Sequence, residues 1–334
     1  MRIAILRNPI FRNAALDDLD TLAQARAVAA ALRKAGHEVA TVSFSLDISL
    51  TAGTLAAYAP DAVFNLVESV GGSARLAHLA PAILEQMGIA FTGSGSQAMF
   101  LSTNKLTAKA MLARADLPTP AWRMGTEPEN GLGRTWIIKS VWEHASFGLD
   151  DASIVHDARP GELSRALEQR RKQFGGEWFA EEFISGREFN VSLIAAPGGP
   201  RVLQPAEIIF TGFGSKPEMV GYRAKWDEDS AEFKGTVRTF SFPDSDSFLL
   251  ENLCRQSAAC WRLFGMSGYA RIDFRVDRDG RPYIIDINAN PCLNPDAGFA
   301  AALDHCGMDF DKAVLRIVED TLGISGHTCG TKAA

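Results

Sequence analysis

The chain is short of several features that would settle its class at once. Its 334 residues hold five cysteines, an odd number, at 254, 260, 292, 306 and 329. So widely spaced, they suit neither a disulfide framework nor a zinc site and imply reduced thiols in a cytoplasm. No apolar run approaches the ~20 residues of a membrane-spanning helix. Residues 1–6 are too brief for the core of a secretion signal and read as a first strand. No lysine and arginine run exceeds three residues, and the formal net charge is −6, so nothing electrostatic calls for nucleic acid. Gly93-Ser94-Gly95 lacks the rest of a dinucleotide fingerprint, and there is no Gly-Lys-Ser/Thr phosphate loop. What is present is ordinary globular composition, 46% hydrophobic and 22% charged, in a chain long enough for two or three domains of ~100–200 residues.

Residues 1–98 alternate short apolar runs with helical patterns. Strands are expected over 3–6, 39–44, 62–66 and 89–92, with helices over 19–36 and 76–87. Such alternation predicts an open parallel α/β layer. A helix over 103–115 leads into a strand over 136–139, an irregular loop over 140–149 and an amphipathic helix over 161–174. From Trp178 the pattern turns antiparallel, with strands over 178–183, 187–195 and 201–210. A long helix over 246–264 precedes a hairpin, and the tail from 326 is small and polar. The expected divisions are 1–98, 99–183, 184–325 and a flexible tail, 326–334.

The hairpin is the most informative segment. Asp279-Gly280 between apolar runs predicts a two-residue turn. Asp273 then faces Asp286 and Arg271 faces Asn288, while Ile272, Phe274 and Val276 lie on the other face against Ile287, Ile285 and Tyr283. Directly opposed carboxylates, their Cβ atoms ~5 Å apart, destabilise a bare sheet. A hard divalent cation reverses that sign, taking one or two carboxylates together with phosphate oxygens. The bland alternative is a solvated face balanced by Arg271.

Other charged residues have two readings each. Lys139 ends a strand beneath a loop holding Glu143, His144, Ser146 and Gly148, a place for a phosphate or for a solvated lysine. Lys105, near a helix start, is a phosphate contact or a surface charge. The run Phe179-Ala180-Glu181-Glu182-Phe183-Ile184 is either a hinge reading a nucleotide base and ribose or a charged edge strand. Lys225 is a phosphate clamp or a salt-bridging loop residue. Cys292 reads as a small buried filler.

Taken in order, these pieces resemble the ATP-grasp superfamily, and within it the D-alanine–D-alanine ligases, over about residues 60–320. The resemblance implies an N-terminal α/β domain followed by a two-part ATP-grasp with antiparallel sheets. It implies a cytoplasmic homodimer that uses ATP and Mg²⁺, or Mn²⁺, to join a small carboxylic acid to an amine through an acyl phosphate, releasing ADP and phosphate. By the same resemblance Lys105, Lys139 and Lys225 hold phosphates, and Glu181, Glu182, Phe183, Ile184 and Glu188 hold the nucleoside. Asp273, Asp286 and Asn288 hold the metal, with aspartate in place of the usual glutamate at 286. Arg271, with the amide of Cys292, stabilises the tetrahedral intermediate; Lys225 and Ser146 complete the catalytic set.

Four departures bear on the substrates. The family's glycine-rich turn and glutamate after the first strand are replaced by Arg7-Asn8-Pro9-Ile10-Phe11-Arg12-Asn13. Glu68 stands near a family histidine. The serine that holds the second substrate's carboxylate aligns with Ala297, beside Asp296, and the loop-closing serine and tyrosine are Ala145 and Trp226. These predict a substrate pair other than two D-alanines, with an amine lacking a carboxylate beside Asp296. Alternatives are a true D-alanine–D-alanine ligase, an enzyme with a thiol, carrier or hydroxyl acceptor, and a nucleotide-binding regulator without catalysis.

Overall fold

The computed structural model describes residues 1–9, 16–125, 134–156 and 158–323. The expected tail, Cys329 and residues 10–13 lie outside them. Among the described residues no helix is long and apolar enough to cross a membrane.

The first sheet is parallel, in the order Glu38–Ser43, Arg2–Arg7, Ala62–Leu66. Its central strand is buried on both faces, so it reads as a continuous apolar run. Ile3 and Ile5 share a core with Val28 and Leu32 of helix Leu16–Lys34 and with Ile317 and Val318 of helix Phe310–Thr321. Ala4 and Leu6 share another with Leu55, Val63 and Leu84. The strand expected over 89–92 shrinks to one parallel bridge between Val63 and Phe91, because the chain turns away at Gly93 with φ 88°. Helix Ile48–Tyr58, which the sequence does not announce, is capped by Asp47 accepting from the Leu50 amide at 3.0 Å. Only Thr51 and Leu55 on it are buried, so its apolar period is faint.

Three further expectations are redrawn. The helix expected over 103–115 is Lys105–Arg114, and a further helix, Ser96–Thr103, precedes it. Asn104 separates them in an extended conformation and caps the second by accepting from the Thr107 amide at 2.9 Å. The helix over 76–87 is a short turn, Ala74–Leu76, and then Leu79–Met87. The strand over 201–210 divides into Gly199–Val202 and Ala206–Phe210 around Pro205, which has no N–H for a ladder.

The second sheet is antiparallel, in the order Thr236–Thr239, Ala206–Phe210, Arg187–Ala196, Tyr269–Val276, Pro282–Asn288, with Gly199–Val202 added on Arg187–Ala196. One face is apolar: Val191, Ile272, Phe274 and Ile287 pack with Leu253, Trp261 and Phe264 of helix Ser247–Phe264. The other face is polar, and its rows follow the register. Ser192, Arg271 and Asn288 form one row; Asn190, Asp273 and Asp286 the next. Arg275, Glu188, Ile208 and Arg238 form a third.

Asp273 does face Asp286, and Arg271 does face Asn288. Nearer the turn the expected register is one residue out: Phe274 pairs with Ile284 and Val276 with Pro282. The cause is the turn itself. The Asp277 amide donates to Arg281 O, so Arg278-Asp279-Gly280 form a three-residue loop with Gly280 at φ 76°. A bulge at Ile285 absorbs the difference before Asp286. Two one-residue departures cancel, and the carboxylates meet as expected.

The third sheet runs Trp122–Arg123, Trp178–Glu182, Trp136–Ser140, Ile154–Val155. Trp136, Ile138, Trp178 and Ala180 bury one face with Leu167 of helix Glu162–Phe174. Side-chain alternation therefore turns Lys139 and Glu181 to the other face.

Candidate active site

The polar face of the second sheet and the Lys139 face of the third help enclose a cavity of about 680 Å³. Lys105, Lys139, Glu188, Lys225, Arg271, Asp273, Asp286, Cys292 and Asp296 all line it. Residues scattered over nearly two hundred positions thus share one space.

Charge is arranged in distinct groups within it. Arg271 grips Asp273 with two hydrogen bonds, Nε to Oδ1 at 2.7 Å and Nη2 to Oδ2 at 2.8 Å, and Asn190 Nδ2 also donates to Asp273 Oδ1 at 2.8 Å. Burial alone lowers the Arg271 pKa, but Asp273 and then Asp286 outweigh it, so the guanidinium stays charged. Lys105 donates to Glu143 O at 2.8 Å and lies 3.9 Å from Asp286 Oδ1. His144 Nδ1 stands 3.5 Å from Asp286 Oδ2. Burial pushes the Asp286 carboxyl up, yet Lys105, His144 and Lys139 together hold it well below the usual carboxylate range. Asp286 Oδ1 is buried without a hydrogen-bond donor.

At the other side, Glu181 is 1% exposed and sits between two lysines, Lys109 Nζ at 2.5 Å and Lys139 Nζ at 2.5 Å. Burial pushes its carboxyl up; Lys109 and Lys139 overcome that and lower it. Glu188 accepts from Arg275 Nη1 at 3.0 Å. Burial raises the Glu188 pKa by more than Arg275 depresses it. Lys225 opens onto the cavity, its Nζ 4.9 Å from the Trp226 ring centroid. Desolvation by the surrounding protein, then Arg271, push its ammonium pKa down.

The loop over 140–149 lines the cavity and is tied by hydrogen bonds to residues 73–74, 220 and 226. The Glu143 carboxylate accepts from Ser73 Oγ and the Ala74 amide, each at 3.1 Å. Ser146 Oγ donates to Val220 O at 2.7 Å, and Trp226 Nε1 donates to Ala145 O at 3.2 Å. Ala145 and Ser146 hold φ of 57° and 61°, a left-handed pair costing ~1–2 kcal/mol per residue. That cost is offset by the contacts on either side of the loop.

The remaining expected residues fall nearby or face elsewhere. Glu68 and Asn288 line an adjoining cavity of about 70 Å³; Glu68 accepts from Gln24 Nε2 at 2.8 Å. The Glu182 carboxylate accepts from Arg134 Nη1 at 2.8 Å. Phe183 lies under Arg275, 5.2 Å from ring centroid to guanidinium, and Ile184 O accepts from Arg275 Nε at 2.9 Å. The Cys292 thiol donates to Asp20 Oδ2 at 2.9 Å, and burial pushes its pKa up, so it is no ready nucleophile.

Several residues of the site go unmarked in the sequence. Lys109 lies one helical turn after Lys105, a spacing that puts both on one face. Arg275 follows Arg271 and Asp273 at the strand period of two. Asp20 and Arg238 line the cavity from distant segments and carry no local signal.

The family model described as D-ala D-ala ligase C-terminus matches residues 110–319. A D-alanine–D-alanine ligase of Acidiphilium cryptum (strain JF-5) is 31% identical over 305 residues, covering 90% of this chain and 93% of the relative. A Sinorhizobium fredii (strain NBRC 101917 / NGR234) protein, y4sG, is 28% identical over 304 residues, covering 88% and 86%. In fold, the D-alanine–D-alanine ligase of Bacillus anthracis complexed with ATP superposes with a TM-score of 0.72 at 22% identity, covering 97% of this chain and 98% of that one. The chain belongs to the D-alanine–D-alanine ligase family of the ATP-grasp superfamily and is an ADP-forming carbon–nitrogen ligase.

Proposed function

We propose that this ligase activates a small carboxylic acid as an acyl phosphate at the expense of ATP, then passes the acyl group to an amine other than D-alanine. The observation that carries the reading is the row Asn190, Asp273, Asp286, with Arg271 bound to Asp273 and Lys105 beside Asp286, in a cavity shared with Lys139. Lys105, Lys139 and Lys225 supply point charges for a phosphate chain. Arg271, oriented through two of its N–H groups, keeps others for the oxygens of the acyl phosphate and the tetrahedral adduct. The amine's attack needs no protein nucleophile, which agrees with the hydrogen-bonded Ser146 and Cys292.

The donors at the hairpin suit Mg²⁺ or Mn²⁺. Asp286 Oδ1 is a buried oxygen without a hydrogen-bond donor, and Asp273 faces it across the strand pair. Among the described residues no three His, Cys, Asp or Glu side chains form a cation site by themselves. Asp273, Asp286 and Asn288 would therefore hold the ion jointly with phosphate oxygens and water. Bound there, such an ion would neutralise charge on the phosphoryl group in transfer.

The substrate pair is read from Ala297, which stands where the resemblance implies a carboxylate-holding serine, and from Glu68, which stands near a family histidine. A cytoplasmic homodimer completes the reading, and light scattering on the purified protein checks the dimer. The chemistry is tested by measuring ADP and phosphate release with Mg-ATP across a panel of acids and amines, D-alanine included. Release with a pair other than D-alanine supports the proposal; release with D-alanine alone makes the chain a cell-wall dipeptide ligase.

A further inference from the structure

We infer that Arg238 binds a carboxylate on the amine substrate and so selects amino-acid acceptors over simple amines. The inference rests on the ligase reading above, and it reverses the expectation drawn from Asp296.

Arg238 belongs to the edge strand Thr236–Thr239 and pairs with Ile208, on the same polar face as Glu188 and Arg275. It lines the cavity close enough to Arg271 for the two charges to repel. Its Nε is enclosed by protein without a hydrogen-bond acceptor, and no carboxylate pairs with it among the described residues. A guanidinium held this way lacks the anion its geometry suits, because its fork of donors matches a carboxylate bidentately.

Gly298 explains how the guanidinium fits. A Cβ at that position would lie 3.0 Å from Arg238 Nη2, 3.4 Å from Cζ and 3.5 Å from Nε. Gly298 does not occupy the left-handed region, so its backbone does not demand glycine. The missing side chain makes room for the Arg238 plane.

The ligase reading already assigns the other cations in the cavity. Lys105, Lys139 and Lys225 suit phosphates, and Arg271 suits the reacting acyl group. Arg238, beside Arg271 and against the segment that follows the metal hairpin, is left for the substrate that arrives last. Asp296 does not cancel it: the aspartate is exposed, with its charge in solvent.

The test compares amino acids with their carboxamides as acceptors, in ADP-release assays with a fixed acid and in calorimetric titrations with ADP present. Wild type should favour the carboxylate member by about 10- to 100-fold. Arg238→Gln should erase that preference through the acceptor KM while leaving the KM for ATP in place. Arg238→Lys should keep part of it. Gly298→Ala, which crowds the guanidinium without removing charge, should weaken it. Equal use and equal binding of both members by wild type, or a preference that survives Arg238→Gln, overturns the assignment. Selective binding without ADP release would instead keep the Arg238 site and refute the ligase reading.

Discussion

Trp226 donates its indole N–H to the carbonyl oxygen of Ala145 at 3.2 Å, linking the loop over 140–149 to helix Tyr222–Trp226. Where the family resemblance implies a serine–tyrosine pair closing this loop, the tie here runs from an indole to the backbone. The consequence is asymmetric: the donor can be removed by mutation, and the acceptor cannot.

Trp226→Phe keeps the ring and deletes the donor. One hydrogen bond is worth ~1 kcal/mol, so a looser clasp should raise the KM for ATP several-fold and let water compete for the acyl phosphate. Ala145→Ser should change neither. The ratio of ADP released to amide formed reads this directly: it rises above one for Trp226→Phe and stays at one for Ala145→Ser.

Gly148 sits at φ 64°, and a Cβ there would lie 2.5 Å from the Trp178 ring. Gly148→Ala adds both backbone strain and a clash at the root of the clasp. A loss of ~1–3 kcal/mol is expected, visible in denaturant unfolding, together with a higher KM for ATP. An unchanged protein would mean that Trp178 yields freely.

Glu181 neutralises two buried lysines at once. Glu181→Gln strands Lys109 and Lys139, at a cost of ~3–5 kcal/mol. The pH dependence has a definite sign. The folded carboxyl lies below the ordinary value of 4.5, so its contribution is complete above that pH and fades as pH falls through the folded value. The stability gap between wild type and Glu181→Gln should be constant near neutrality and narrow below pH 4.5. A gap that widens in acid would contradict the pairing.

Asp286→Asn should lower ADP formation by about 10²–10³-fold, the scale of losing one partner to transition-state charge, while circular dichroism shows the fold retained. Full activity would remove the metal assignment at the hairpin. Arg271→Lys keeps the charge but loses the fork; kcat should fall far more than the KM for ATP rises.

Much of this site is legible in the sequence because strand periodicity is rigid. Arg271, Asp273, Asp286 and Asn288 could be placed on one face from a turn signal and a period of two, and the carboxylates meet even though the turn is one residue longer than expected. The compensating bulge at Ile285 has no local marker. Helix Ile48–Tyr58 is hidden for the opposite reason, since only two of its residues are buried and little periodicity results. Lys109 and Arg275 are readable from spacing once Lys105 and Arg271 are in hand. Asp20 and Arg238 are not, because each reaches the cavity from a segment whose position depends on the whole fold.

The most direct test of the central claim follows oxygen. An acid substrate labelled with oxygen-18 in its carboxylate is incubated with the enzyme, Mg-ATP and an amine, and the released phosphate is examined by mass spectrometry. An acyl-phosphate route places one labelled oxygen in each phosphate released alongside ADP. Unlabelled phosphate, or ADP accompanied by a stable phosphorylated product, would contradict it.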